Sequence, residues 1–160
     1  MTAMRPHFQP RRGRLEGQRG FSLIELMVTL TVMVVLLGIG VPSFRSFTDG
    51  QKVKSAASDL MASLVLARSE AVKRNSDVII APDTAGTWAG GWTVKSGTVT
   101  ILQQQSMTGV TITDGATNIV YKANGRPGAS PSFEITGGSS VRCVKVDSSG
   151  IPTAKSGACA

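Results

Sequence analysis

The chain contains one histidine, His7, and two cysteines, Cys143 and Cys159. That scarcity closes several routes to chemistry. His7 lies in an N-terminal stretch that the processing inferred below removes, and without it a Ser or Cys nucleophile has no imidazole base. Two thiols do not complete a tetrahedral zinc site. The carboxylates beyond residue 76 are Asp77, Asp83, Asp114, Glu134 and Asp147, and no pair of them is set by local spacing for acid–base work. Glycine is abundant, yet Gly86, Gly90 and Gly91 are not followed by the lysine and helix start of a phosphate-cradling loop. No enzymatic activity, cofactor or metal is expected, which leaves a structural or binding protein.

Charge is also sparse where it matters most. From Leu26 to Val41 there is no charged side chain, and Glu25 is the one acid in the apolar run Phe21–Val41. As a helix, that run reaches ~31 Å, the thickness of a bilayer core. An unpaired acid at the edge of such a run costs a few kcal/mol or more in lipid. Scission between Gly20 and Phe21 would create an amine able to compensate it. Ahead of that bond stand Arg5, Arg11, Arg12, Arg14 and Arg19 against Glu16 alone. The formal charge of the whole chain is +7, so the portion from Phe21 onward carries only +3. The basic balance therefore belongs mostly to a leader and is not a nucleic-acid footprint. Arginines before an apolar span hold that end in the cytoplasm and place the rest outside it. An ordinary secretory signal would have a shorter apolar core and a cut after it. Gly38-Ile39-Gly40 could serve as that site, but such a cut leaves Gly20-Phe21 and Glu25 without a role.

The stretch Arg19-Gly20-Phe21-Ser22-Leu23-Ile24-Glu25-Leu26 resembles the class III signal of type IV pilins and type II secretion pseudopilins. The resemblance implies cleavage after Gly20 by an inner-membrane prepilin peptidase and methylation of Phe21. It also implies pairing of Glu25 with the N-terminal amine of a neighbouring subunit during filament assembly. The physics agrees, because opposite charges at ~4 Å in low dielectric attract strongly and offset part of their desolvation cost.

Gly38, Gly40 and Pro42 weaken the far end of the span, where a long helix can bend or loosen. Helical periodicity then resumes. Val53, Ala57, Leu60, Leu64, Ala67 and Ala71 form one apolar stripe, with Lys52, Asp59, Ser63, Glu70 and Arg74 assigned to the opposite face. The helix is expected to end near Arg74-Asn75-Ser76. From Asp77 the texture changes to short β-branched runs between turn residues. Strands are predicted near 78–81, 91–95, 99–103, 110–113, 118–122, 132–136 and 141–147. Turns are predicted at 83–86, 96–97, 114–115, 124–125, 137–138 and 149–150. The fold class is therefore α+β, and its architecture is similar to that of type IV pilins. A long N-terminal helix, half transmembrane and half amphipathic, packs on an antiparallel sheet head. The expected divisions are a cleaved leader over 1–20, a transmembrane and assembly helix over 21–44, an amphipathic helix over 45–76 and a β-rich head over 77–160.

Outside the cytoplasm, Cys143 and Cys159 suit a disulfide that pins the tail across the last strand and contributes ~3 kcal/mol. The segment Leu66-Ala67-Arg68-Ser69-Glu70-Ala71-Val72-Lys73-Arg74-Asn75-Ser76 is similar to the GspH/FimT branch of minor pilins and minor pseudopilins. The likeness continues through Trp88-Ala89-Gly90-Gly91-Trp92-Thr93-Val94, Gly125-Arg126 and the cysteine pair. Arg68 and Glu70 can equally be a solvated helix face or make specific contacts.

The branch implies a minor subunit of a type IV pilus, with a priming or tip role. The alternative is a minor pseudopilin of the H type in type II secretion. Implied partners are other pilin or pseudopilin subunits, the prepilin peptidase and the inner-membrane assembly platform. The implied location is a single pass through the inner membrane with a periplasmic head, then the fibre. A second alternative follows from FimT-type minor pilins that bind DNA through Gly-Arg-x-Arg. Here the segment is Gly125-Arg126-Pro127-Gly128, so the second arginine is missing. Arg126, Arg142 and Lys145, with Lys122 and Lys155, are the residues that would hold phosphates in a salt-sensitive way.

Overall fold

The computed structural model describes residues 20–114 and 117–159. The arginine-rich leader before Gly20 and the expected turn residue Gly115 lie outside the described residues. Two compact units divide between Gly38 and Ile39.

Helix α1 spans Leu23–Arg74. It continues through Gly38, Gly40 and Pro42, so the expected loosening does not end it. Its first stretch, to Phe47, exposes its large apolar side chains, and it is long and apolar enough to cross a membrane. Both threonine hydroxyls within that stretch are satisfied by the helix's own carbonyls: Thr29 Oγ1 donates to Leu26 O at 2.9 Å and Thr31 Oγ1 to Met27 O at 2.8 Å. Internal bonding of this kind spares a hydroxyl the cost of being unpaired in hydrocarbon.

The C-terminal end of α1 stops where the sequence indicates. Ser76 N–H donates to Ala71 O at 3.2 Å and Asn75 N–H to Val72 O at 3.3 Å, with Asn75 at φ 48°. This is a Schellman closure with asparagine in the left-handed position. The buried residues of α1 include the predicted stripe, Val53 to Ala71, but also Ala56, Ser63 and Glu70. The assignment of Ser63 and Glu70 to the open face is therefore corrected. Ala56, Ser63 and Glu70 recur every seven residues and form a second buried row. Ser63 can be buried because its hydroxyl donates to Asp59 O at 2.8 Å. Glu70 can be because Arg74 Nε reaches it at 2.6 Å and Lys73 Nζ at 3.4 Å.

The strands form two sheets, where one is expected from the sequence. Strands β1 (Val78–Thr84), β2 (Thr87–Ser96), β3 (Val99–Gln104) and β5 (Ile119–Tyr121) order as β3-β2-β1-β5. Strands β4 (Thr111–Asp114), β6 (Ser132–Gly137), β7 (Ser140–Val146) and β8 (Pro152–Ser156) order as β4-β6-β7-β8. All pairings are antiparallel. Strand β8 has no counterpart among the predicted strands. β1 and β2 extend into the predicted 83–86 turn, leaving Ala85 and Gly86 as the link. Pro82 is tolerated in β1 because β5 pairs only with Val78–Ile80, so no ladder bond is demanded of its missing N–H.

The core joins α1 to both sheets: Leu60, Leu64 and Ala67 with Ile80, Val94 and Tyr121 on one side, Phe133, Ile135 and Val144 on the other. Trp88 meets Phe133 edge-on at 4.9 Å between centroids, and Trp92 lies 6.3 Å from Trp88. The aromatic–glycine segment thus supplies the two largest side chains of the core.

Candidate assembly segment and the basic residues of the head

Gly20, Phe21 and Ser22 precede α1, and Leu26 N–H donates to Ser22 O at 3.1 Å, the first bond of the helix. Ser22 therefore stands at the N-cap and Glu25 at the third helical position, in the first turn. The spacing Ser22-x-x-Glu25 is a capping-box pattern that the charge-based view of Glu25 missed. A carboxylate here also lies in the favourable field of the helix N-terminus. Phe21 is 78% exposed.

In the head, the proposed basic residues do not form one patch. Arg126 is exposed in the turn after β5, its N–H held by Asn124 Oδ1 at 3.0 Å. Lys122 is paired with Asp77 at 2.8 Å. Arg142 shares the face of β7 that carries buried Val144 and Val146, and its register partner is buried Ile135. Lys145 lies on the opposite face with Cys143. A period of two already places positions 142 and 145 on opposite faces, so this separation was readable in the sequence. Lys145 instead lines a 210 Å³ depression with Lys155, Cys143 and Ala158.

Cys143 and Cys159 form a disulfide with Cα atoms 5.0 Å apart. Cys159 N–H donates to Glu134 Oε2 at 3.1 Å, and Gly157 N–H to Val141 O at 2.9 Å. The tail is thereby drawn back over β7, as the spacing of the cysteines had suggested.

Arg68 makes the specific contact that the sequence left open. Its Nε donates to Gly125 O at 3.2 Å, linking α1 to the turn after β5. Gly125 has φ +74° and Gly150 φ +86°, and a Cβ on Gly150 would run into the Gly125 carbonyl. Tyr121 OH reaches Gly150 O at 3.4 Å. Burial pushes the Tyr121 hydroxyl up to about 12. The Asp147 carboxylate, held low by Ser149 Oγ and then by backbone N–H groups, shapes the same turn. Glu70 is likewise lowered, chiefly by its bond to Arg74.

A family model described as "Type II transport protein GspH" matches residues 56–150. The chain belongs to the GspH family. A second model, the prokaryotic N-terminal methylation motif, matches residues 17–41. This GspH-family chain is thus a pilin-like or pseudopilin-like subunit with a methylation motif. Among curated relatives, "Prepilin peptidase-dependent protein D" of Escherichia coli K12 is 27% identical, over 61% of this chain and 72% of its own. A "Fimbrial protein" of Pseudomonas aeruginosa is 29% identical over 41% of this chain and 42% of its own length. Among solved structures, the type IV minor pilin FimU of Pseudomonas aeruginosa PAO1 superposes with a TM-score of 0.61 at 22% identity, covering 68% of this chain and 92% of FimU. The minor pseudopilin EpsH from the Type 2 Secretion System of Vibrio cholerae gives 0.52 at 13% identity, covering 66% and 97%. The GspH-family chain therefore has the type IV pilin fold, with its helix packed on antiparallel sheets.

Proposed function

We propose that this chain is a minor subunit of a type IV pilus, cut between Gly20 and Phe21 and methylated at Phe21. Residues 1–20 are the leader, 21–44 anchor the chain in the inner membrane, 45–76 continue the helix into the head, and 77–160 form the periplasmic head. The role is structural. Glu25 neutralises the new amine of a neighbouring subunit and sets how deep each protomer sits, giving register more than stability. Other pilin-like subunits, the prepilin peptidase and the inner-membrane assembly platform are its partners. Helix transfer from lipid to fibre costs little because both surroundings are apolar.

The observation that carries this proposal is the methylation motif over residues 17–41 with a single acid, Glu25, at the edge of an uncharged run. Mass spectrometry of the mature N-terminus tests it: the expected chain begins at a methylated Phe21. A chain that keeps its arginine-rich prefix, or one trimmed beyond Val41, excludes it. Glu25→Ala is expected to insert in the membrane normally and to enter fibres poorly; normal incorporation removes the pairing.

Type II secretion is the competing system, and membership of a family described as type II transport proteins favours it. Gly125-Arg126 and the terminal cysteine pair support the pilus. Deleting the gene decides between them, because a pilus subunit depletes surface fibres while a pseudopilin depletes secreted proteins. DNA binding finds little support in the head, since Arg142 and Lys145 occupy opposite faces of one strand and Lys122 is ion-paired.

A further inference from the structure

Among the described residues outside the apolar first stretch of α1, few large aliphatic side chains are exposed, and three of them converge. Val65 is 48% exposed, Val72 54% and Ile151 47%. With Met61 and Pro152 they line a groove of about 550 Å³ between α1 and the start of β8. A second depression of about 480 Å³ shares Met61, Val65 and Ser69, extending the apolar strip along the helix. Contiguous exposed apolar surface of this kind marks an interaction site more often than chance scatter does. Its elongated shape suits a peptide segment.

The two charged side chains that line the groove are both cations. Arg68 and Lys73 line it. Arg68 donates to the Gly125 carbonyl and enters no ion pair among the described residues. Glu70 is one adjacent acid, and it is shared between Arg74 and Lys73. Asp147 accepts from the Ile151 N–H at the groove's edge, so three cations against two anions leave a net positive rim beside an aliphatic floor. We propose that this groove docks an apolar segment of another protein subunit that carries a carboxylate. Its aliphatic side chains would cover Val65, Val72 and Ile151, and its acid would meet the rim. A segment bearing lysine in that place is repelled, so charge selects the partner. This surface is separate from the cleavage site and from Glu25, and the proposal stands or falls independently of them.

The test uses the full chain in lipid nanodiscs and two fluorescein-labelled synthetic peptides, one alternating leucine with glutamate and one alternating leucine with lysine. Anisotropy above that of empty nanodiscs is expected for the glutamate peptide, with the lysine peptide weaker by about tenfold or more. Val65→Asp weakens the glutamate peptide by about tenfold. Lys73→Glu removes most of the discrimination, while Ile79→Asp, at an exposed aliphatic on β1, changes neither. Equal binding of the two peptides overturns the proposal. So does binding no greater than to empty nanodiscs, or an equal loss from Val65→Asp and Ile79→Asp.

Discussion

The two stretches of α1 are both apolar, but they are arranged for different surroundings. Between Phe21 and Phe47 the large apolar side chains are exposed all round. Between Val53 and Ala71 one apolar stripe is buried, and Val65 and its neighbours lie outside it. The first stretch lacks any face that could be called polar, so it has no preferred orientation toward a single protein surface. The second has alanines at 56, 57, 67 and 71, all buried in the core that also holds the aromatic side chains of the sheets. Hydrophobicity alone therefore does not distinguish a membrane anchor from a core helix; angular distribution does.

Shortening a leucine in each stretch is the most direct attempt to break that contrast. Leu64→Ala is expected to lower the stability of the head by about 2–5 kcal/mol, as cavities in packed cores do. Leu30→Ala should leave it within about 0.5 kcal/mol. Thermal unfolding followed by the near-ultraviolet signal of Trp88 and Trp92 reads both, because both tryptophans are buried in the head. Equal effects would mean that the first stretch also serves the core. Removing the Cys143–Cys159 bridge by a double serine substitution comes next, with an expected loss of ~3 kcal/mol and no change in membrane insertion.

A smaller effect separates the stripe from its polar border. Arg68→Ala should cost roughly 1.5–3 kcal/mol, since it removes a charged donor from the part-buried Gly125 carbonyl. Chemical denaturation of Arg68→Ala beside Arg68→Lys distinguishes that bond from simple packing, and equal stability of all three proteins would discount it.

The smallest changes are expected from pH. Glu70 and Asp147 are held below their ordinary values. The stability they contribute is present above about pH 4 and is lost as pH falls through their lowered folded values. Tyr121 has the opposite sign of exposure to pH. Its folded value is raised to about 12, so the unfolded chain loses its proton first, near pH 10, and stability declines as pH rises from there toward 12. Tyr121 is the only tyrosine in the chain, so a spectrophotometric titration sees it alone. A midpoint near 10 in the folded protein would show that the ring is not buried against the Gly150 turn.

Much of the helix was legible in the sequence. The 3.6-residue stripe from Val53 to Ala71 and the stop at Asn75-Ser76 are local signals, and both are found in the structure. Strand β8 was not legible. Of its five residues only Pro152 is buried, and no apolar alternation announces it. It is a strand because β7 offers Arg142–Val146 as a ladder. The candidate site divides in the same way. The spacing of Phe21 and Glu25 could be seen in one line of sequence. The groove of Met61, Val65, Val72 and Ile151 could not, since it needs a turn near residue 150 to meet a helix face some eighty residues earlier.

By itself the sequence determined where apolar and charged residues recur, and therefore the helix, its buried stripe, the uncharged N-terminal run and the likeness to pilins. Those properties depend on neighbours three or four positions away, within reach of a single turn. Only the tertiary structure decided that the strands divide into two sheets, that Ser63 and Glu70 are covered, and that Arg68 holds a turn 57 residues distant. Backbone edges offer the same N–H and C=O groups whatever their side chains, so which strands pair is settled by the packing of the whole core.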